Sequence, residues 1–134
     1  GKPFSRDELQ QEAYLMMPGG AYGPAFLAGQ NFRVIRLYNT SDLYALFVGN
    51  LSDRIRGGGN FVTPWKNFAQ PRTTTVHNLQ VQLQKLGYPM DKIDGKIGSN
   101  TRKQIGLYQK AARIKIDCWP SDSVLASANA QANR

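Results

Sequence analysis

Two tyrosines six residues apart, Tyr38 and Tyr44, enclose Asn39 and Ser41 in the stretch YNTSDLYALFVGNLSDRIRGG, which then runs apolar and closes in arginines and glycines. An ordinary core helix needs no such opening. Tyrosine planes beside an amide and a hydroxyl suit a sugar, whose ring offers apolar C–H faces and many hydroxyls. The plainer reading of the same residues is an N-capped helix with Tyr44 in its buried stripe. Carboxylates for acid–base work are scarce: the chain holds two glutamates, Glu8 and Glu12, both in the polar run SRDELQQEAYL, which reads as an exposed helix. Asp94-Gly95 has a local job of its own, because an Asp closes a turn through its side chain and the following Gly accepts positive φ. Cys118 is the single cysteine and His77 the single histidine, so no disulfide forms within the chain and no metal site is expected.

The elements that must position these residues follow from periodicity and punctuation. GQNFRVIRLYN reads as a short helix with Phe32, Ile35 and Tyr38 at three-residue spacing. Ser41 then N-caps a second helix with Asp42 in its first turn and Tyr44, Val48, Leu51 and Ile55 on one stripe, and Gly57 to Gly59 end it. Upstream, a short helix around Asp7 to Ala13 leads into MMPGGAYGPAF at 16–26, too rich in Gly and Pro for regular structure and hence an irregular loop. GGGNFVTPWKNFAQPRTTT at 57–75 loses all periodicity and connects two helical regions, with a domain boundary near Gln70. Beyond it, Thr75 caps a helix with Val76, Leu79, Leu83 and Leu86 on its apolar face and Gly87 as its left-handed C-terminal residue. Ser99 caps a helix with the stripe Thr101, Ile105, Tyr108 and Ala112, and a last short helix starts at Ser121 and buries Val124, Leu125 and Ala128. KIDGKIGSNT at 92–101 returns as KIDCWPSDSV at 115–124, each a loop running into a capped helix. Alternating segments are too few for a sheet, so both halves are expected to be mainly helical.

With 134 residues, 41% of them hydrophobic, the chain can form one ordinary domain or two small ones, and disorder is not the default. No run approaches the roughly 18 uninterrupted apolar residues of a membrane span. The chain opens on Gly1 with no charged-then-apolar leader, which reads as a processed product or a fragment. Its formal charge of +8 is uneven: residues 1–70 carry seven Lys/Arg against five Asp/Glu, and residues 71–134 carry ten against four. A basic field favours polyanions, whether nucleic acid, anionic lipid or a wall polymer with carboxylates and phosphates, and a solvated basic surface accounts for it equally.

The second half, with Leu79-Gln80, Gly87-Tyr88, Asp94-Gly95, Gly98, Thr101, Tyr108-Gln109 and Asp117 in that order and spacing, resembles the small three-helix peptidoglycan-binding domain found at the ends of many bacterial wall hydrolases. The resemblance covers about residues 72–128. It implies loop and binding positions at Asp94, Gly95, Thr101, Tyr108 and Gln109. Cys118 stands where that pattern has its second glycine, and Trp119-Pro120 follow, which predicts a stiffer second loop. GPAFLAGQNFRVIRLYNTSDLYALFVGNLSDRIRGG in turn looks like the closing stretch of the catalytic domain of membrane-bound lytic murein transglycosylases of the B type. In that family the binding domain often follows this one, and the resemblance carries glycan-groove roles to Tyr38, Asn39 and Tyr44, with Ser41 beside them.

What the resemblance implies is a mainly α chain: the terminal helical segment of a lysozyme-like transglycosylase domain in residues 1–70, then a three-helix binding domain in residues 71–134. Such enzymes cut between N-acetylmuramic acid and N-acetylglucosamine with one glutamic acid and release a 1,6-anhydro product, without cofactor or metal. Neither Glu8 nor Glu12 sits in the family's catalytic context, and its Met-Pro-Ser-Ser type groove motif is absent. No catalytic residue is therefore expected in this chain, which alone should bind peptidoglycan and not cut it. A second polypeptide or upstream segment is expected to supply the glutamate and cover Phe32, Tyr38, Leu46, Phe47 and Leu51. The expected location is the bacterial periplasm or cell envelope. Two rivals are a non-enzymatic peptidoglycan-binding adaptor and, more distantly, a basic nucleic-acid binder, whose Lys/Arg should line one face and here are scattered.

Overall fold

The computed structural model describes residues 5–133, the side chain of Glu8 excepted. The chain divides into two compact units, one comprising residues up to Pro18 with Gly23–Trp65, the other Gly19–Tyr22 with the residues from Lys66 onward. Helices dominate both, as the apolar periodicity requires.

The first unit contains α1 (Arg6–Leu9), β1 (Tyr14–Met16), β2 (Phe26–Ala28), α2 (Gln30–Tyr38) and α3 (Asp42–Ile55). Two expectations are corrected here. The helix around Asp7 to Ala13 stops at Leu9, and the chain forms a small antiparallel sheet in which Tyr14 faces Ala28 and Met16 faces Phe26. Strands of three residues are too short to display alternation, and the Gly/Pro-rich run that reads as irregular turns the chain back on itself between them. Cross-strand pairing thus outweighs helix extension beyond Leu9. Glu12 is exposed, 4.0 Å from Arg33, whereas the Glu8 side chain lies outside the described residues.

Between α2 and α3 the turn is built as its residues suggest. Ser41 is the N-cap, its Oγ accepting from the Tyr44 amide at 3.3 Å, and Asp42 occupies the first turn beside Arg36, whose Nε lies 3.1 Å from its Oδ1. The α3 stripe, however, is not buried. Ala45 is the residue of this helix that is fully enclosed, while of the stripe Leu51 is 47% and Ile55 78% exposed. A two-stranded sheet and short helices supply too little material to cover that face.

The second unit contains α4 (Thr73–Lys85), α5 (Ser99–Ala111) and α6 (Asp122–Ala132). Its core is Leu79, Leu83, Ile105, Tyr108, Val124 and Ala128, with Leu86, Tyr88, Met90, Ala112 and Leu125 packed against it. These are the stripes read from the sequence. Each large side chain so enclosed contributes about 1.5–3 kcal/mol. Gly87, at φ +87°, ends α4 in a Schellman turn: the Tyr88 amide donates to the Leu83 carbonyl and the Gly87 amide to that of Gln84.

Two capping expectations shift. Thr75 is not the cap of α4, which begins two residues earlier behind Arg72; its hydroxyl donates instead to Asp122 Oδ1 on α6, at 3.2 Å. Ser99 is the first residue of α5 and Gly98 its N-cap. Ser121 caps α6 as expected, accepting from the Val124 amide.

Gly95 has φ +70°, and a Cβ there would lie 2.6 Å from Thr73 Cγ2 and 2.8 Å from the Thr73 carbonyl oxygen. Gly95→Ala combines a left-handed alanine with a clash against backbone. It should destabilise the second unit by about 2–3 kcal/mol, measured by urea denaturation; an unchanged midpoint contradicts the geometry.

Candidate functional site

The four residues singled out in the first unit lie together at the α2–α3 junction. The Tyr38 and Tyr44 rings are 6.3 Å apart and inclined by 32°. Tyr38 is 84% and Tyr44 36% exposed, so neither is sealed in a core. Asn39 ends α2 in an extended conformation and its Oδ1 accepts from the Ser41 amide at 3.0 Å, which spends the carbonyl side on the turn and leaves the NH2 side as a donor. Ser41 spends an acceptor lone pair on the cap. The result is a rigid step presenting two ring faces, an amide and a hydroxyl. The nearby Asp42 carboxylate is engaged by Arg36.

The first unit also has a groove of about 810 Å³ that the sequence did not announce, lined by Phe26, Phe32, Leu46, Asn50, Asp53 and Phe61 among others and by none of the four step residues. Phe26 and Phe61 meet edge to face at 5.2 Å. Its one acid, Asp53, is exposed.

In the second unit the repeated loops prove to be the same device built twice. Gln80, on α4, accepts from the Asp94 and Gly95 amides through Oε1, at 3.1 and 2.8 Å, and its Nε2 reaches Asp94 Oδ1, the Lys96 carbonyl and Thr101 Oγ1. Gln109, on α5, accepts from the Asp117 and Cys118 amides at 3.1 and 2.9 Å and donates to Asp117 Oδ1 at 2.7 Å. Each Asp closes its own turn, Asp94 Oδ1 taking the Lys96 amide and Asp117 Oδ1 the Trp119 amide. Each is followed by a left-handed residue, Gly95 at +70° and Cys118 at +54°. The hydrogen bond from the Lys96 amide, aided by Gln80 and the Lys96 charge against some desolvation, holds the Asp94 carboxyl below its usual 3.8.

Cys118 adopts a conformation that disfavours any side chain, and Gly106 makes room for it: a Cβ there would lie 2.7 Å from the Cys118 sulfur. Burial, then the Asp117 charge, pushes this thiol up, with Arg102 opposing. It is not a poised nucleophile.

Of the binding-domain residues singled out, Asp94 is exposed and Gly95 buried beneath the turn, while Thr101, Tyr108 and Gln109 are enclosed. The Tyr108 ring packs edge-on to Tyr88 at 5.8 Å and its hydroxyl meets Ser127 Oγ at 2.7 Å. Thr101, Tyr108 and Gln109 thus hold the loops in shape from behind.

Sequence reasoning missed the residues around the second loop. Gly20–Tyr22 forms a single 3-10 turn whose Ala21 amide donates to the Asp117 carbonyl at 2.9 Å and whose Tyr22 hydroxyl donates to Asp117 Oδ2 at 2.9 Å. Tyr22 stacks on Phe68 at 5.2 Å, and Phe68 meets Trp119 edge-on at 4.9 Å. Lys115 lies 5.3 Å from the centre of the Tyr22 ring. Partners 95 positions apart leave no local pattern to read.

Among the described residues no cluster of His, Cys, Asp or Glu could hold a metal, and no helix is long and apolar enough to cross a membrane.

Residues 1–53 match the transglycosylase SLT domain family and residues 72–125 the peptidoglycan binding domain family. Two crystal structures of SltB3 from Pseudomonas aeruginosa, in complex with NAG-anhNAM-pentapeptide and with NAG-NAM-pentapeptide, superpose with a TM-score of 0.77 at 38% sequence identity over 96% of the chain. The chain spans 35% and 34% of their lengths, about a third. No curated protein sequence matches it. The chain is thus similar to a stretch of a transglycosylase SLT domain followed by a peptidoglycan-binding domain.

Proposed function

We propose that this chain is the glycan-positioning and wall-anchoring portion of a lytic transglycosylase that cleaves the MurNAc–GlcNAc bond, with the catalytic glutamate on polypeptide outside it. One observation carries the reading: an exposed tyrosine–amide step adjoins an uncovered apolar face, Leu37, Tyr38, Leu43, Phe47 and Ile55, in a stretch matching the SLT domain. The chain spans about a third of the matched structures, and we read this face as the surface that further polypeptide covers. The glutamate protonates the leaving glycosidic oxygen and then accepts the proton of the muramoyl 6-hydroxyl as that oxygen bonds to the anomeric carbon. No water enters, so the product is a 1,6-anhydro sugar. Tyr38, Asn39, Ser41 and Tyr44 hold the strand, and the loop around Asp94 faces the wall from the second unit. The matched SltB3 complexes contain NAG-anhNAM- and NAG-NAM-pentapeptides, and the same class of ligand is proposed here, in the bacterial periplasm or cell envelope.

The basic second half supports retention on an anionic wall, weakening as salt screens it. Pelleting with purified sacculi tests this directly. The whole chain should sediment at low salt and release progressively above about 0.15 M; protein left in the supernatant at every salt concentration refutes the reading. The adaptor alternative predicts identical pelleting and is separated from the enzyme only by activity.

A further inference from the structure

Within the second unit a groove of about 950 Å³ opens where α6 begins, and the structure leaves unsatisfied donors there. Trp119 lines it and is 7% exposed, yet its indole Nε1 is buried with no acceptor. A buried donor left unpaired is destabilising, and an incoming acceptor relieves it. The first turn of α6 lines the same groove. Ser121 takes the Val124 amide, but the amides of Asp122 and Ser123 have no carbonyl one turn earlier, and the helix end carries partial positive charge. Arg72 and Lys115 add two cations to the lining and Asp117 and Asp122 two anions, of which Asp117 already accepts from the Tyr22 hydroxyl, the Gln109 amide group and the Trp119 amide.

We infer that this groove is a subsite for the stem peptide of peptidoglycan, with a peptide carbonyl or carboxylate received by Trp119 Nε1 and the first amides of α6. The inference rests on the wall-binding reading above and specifies which part of the polymer is read. Phe68, half-buried and edge-on to the indole, covers Trp119 and swings aside as the peptide enters. A sugar fits less well, because it needs a free aromatic face. Here Tyr22 is engaged by Phe68 and Lys115, Phe68 by both of its neighbours, and Trp119 is enclosed. A stem peptide brings what the lining asks for: amide carbonyls for the donors, carboxylates for Arg72 and Lys115, and an amine for Asp122. The groove also lies within the size range of small-ligand sites.

The two indoles of the chain, Trp65 and Trp119, give two side-chain N–H resonances in a ¹⁵N-labelled sample. Trp119→Phe assigns them, and Trp65→Phe, at an exposed position, assigns them equally well should the first variant not fold. Titration of the full chain with free stem pentapeptide should move the Trp119 N–H resonance downfield and leave that of Trp65 in place. The peptide-free NAG-NAM disaccharide should move neither. Arg72→Ala should weaken the peptide titration at least threefold with unchanged Tm. A Trp119 signal indifferent to the pentapeptide, or one moved equally by the disaccharide, overturns the subsite. Sacculus pelleting that persists in that case leaves the wall-binding reading intact, whereas loss of pelleting fails the broader reading instead.

Discussion

Replacing Gln80 with leucine is expected to cost the second unit about 3 kcal/mol, although leucine is close in volume and more apolar. Gln80 is 1% exposed and spends both ends of its amide on the first loop. Without it the buried Gly95 amide loses its acceptor, the Asp94 amide loses a partner, and the Lys96 carbonyl and Thr101 hydroxyl lose a shared donor. The Asp94 turn then stands on its own Asx bond. Thermal unfolding of the full chain followed at the second unit should fall by roughly 12–24 °C, since about 1 kcal/mol shifts a unit of this size by 4–8 °C. Gln109→Leu should do comparable damage, because the second loop hangs from that residue in the same way. Gln104→Leu is the control. Gln104 is just as enclosed, but its Oε1 has no partner and its Nε2 serves only Asn100 on the same helix, so its loss should stay within about 1 kcal/mol. Equal losses at all three positions would mean that the loops do not depend on these amides.

On the function proposed above, Asn39→Ala made in an assembly that supplies the catalytic glutamate should lower sacculus lysis by about 10²-fold while leaving pelleting unchanged. Two effects combine in that figure. The amide donor proposed to meet the glycan disappears, and the Asn39–Ser41 bond in the turn between α2 and α3 goes with it, freeing the Tyr38 and Tyr44 planes to drift. A displacement of about 1 Å in a positioning group is enough for losses of this order. Tyr38→Ala should act in the same direction, and with Tyr38 so exposed the fold should survive it. Release of soluble 1,6-anhydro-muropeptides is the measurement. Wild-type lysis by both variants removes the glycan role from this step and leaves the adaptor reading in possession.

Much of this molecule was readable from one written chain. The stripes of α4, α5 and α6 are the enclosed core, Gly87 and Ser121 end and begin helices where expected, and the step from Tyr38 to Tyr44 has its N-cap on Ser41. All of these depend on neighbours within a turn or two, where apolar spacing, capping and left-handed glycines act. The motifs also pointed to the two families that the chain matches, in their order. Tertiary structure alone decided the rest. It drew Gly19–Tyr22 out of its place in sequence and into the second unit, because Asp117 offers a carbonyl and a carboxylate to Ala21 and Tyr22. It turned the Thr75 hydroxyl from a cap into a bond to Asp122, paired strands too short to show alternation, and made Gln80 and Gln109 the anchors of the repeated loops. It also left the Trp119 indole nitrogen buried without an acceptor. Contacts between residues far apart in the chain depend on how the helices pack, and that register is set by the sum of the core, not by the residues that end up touching.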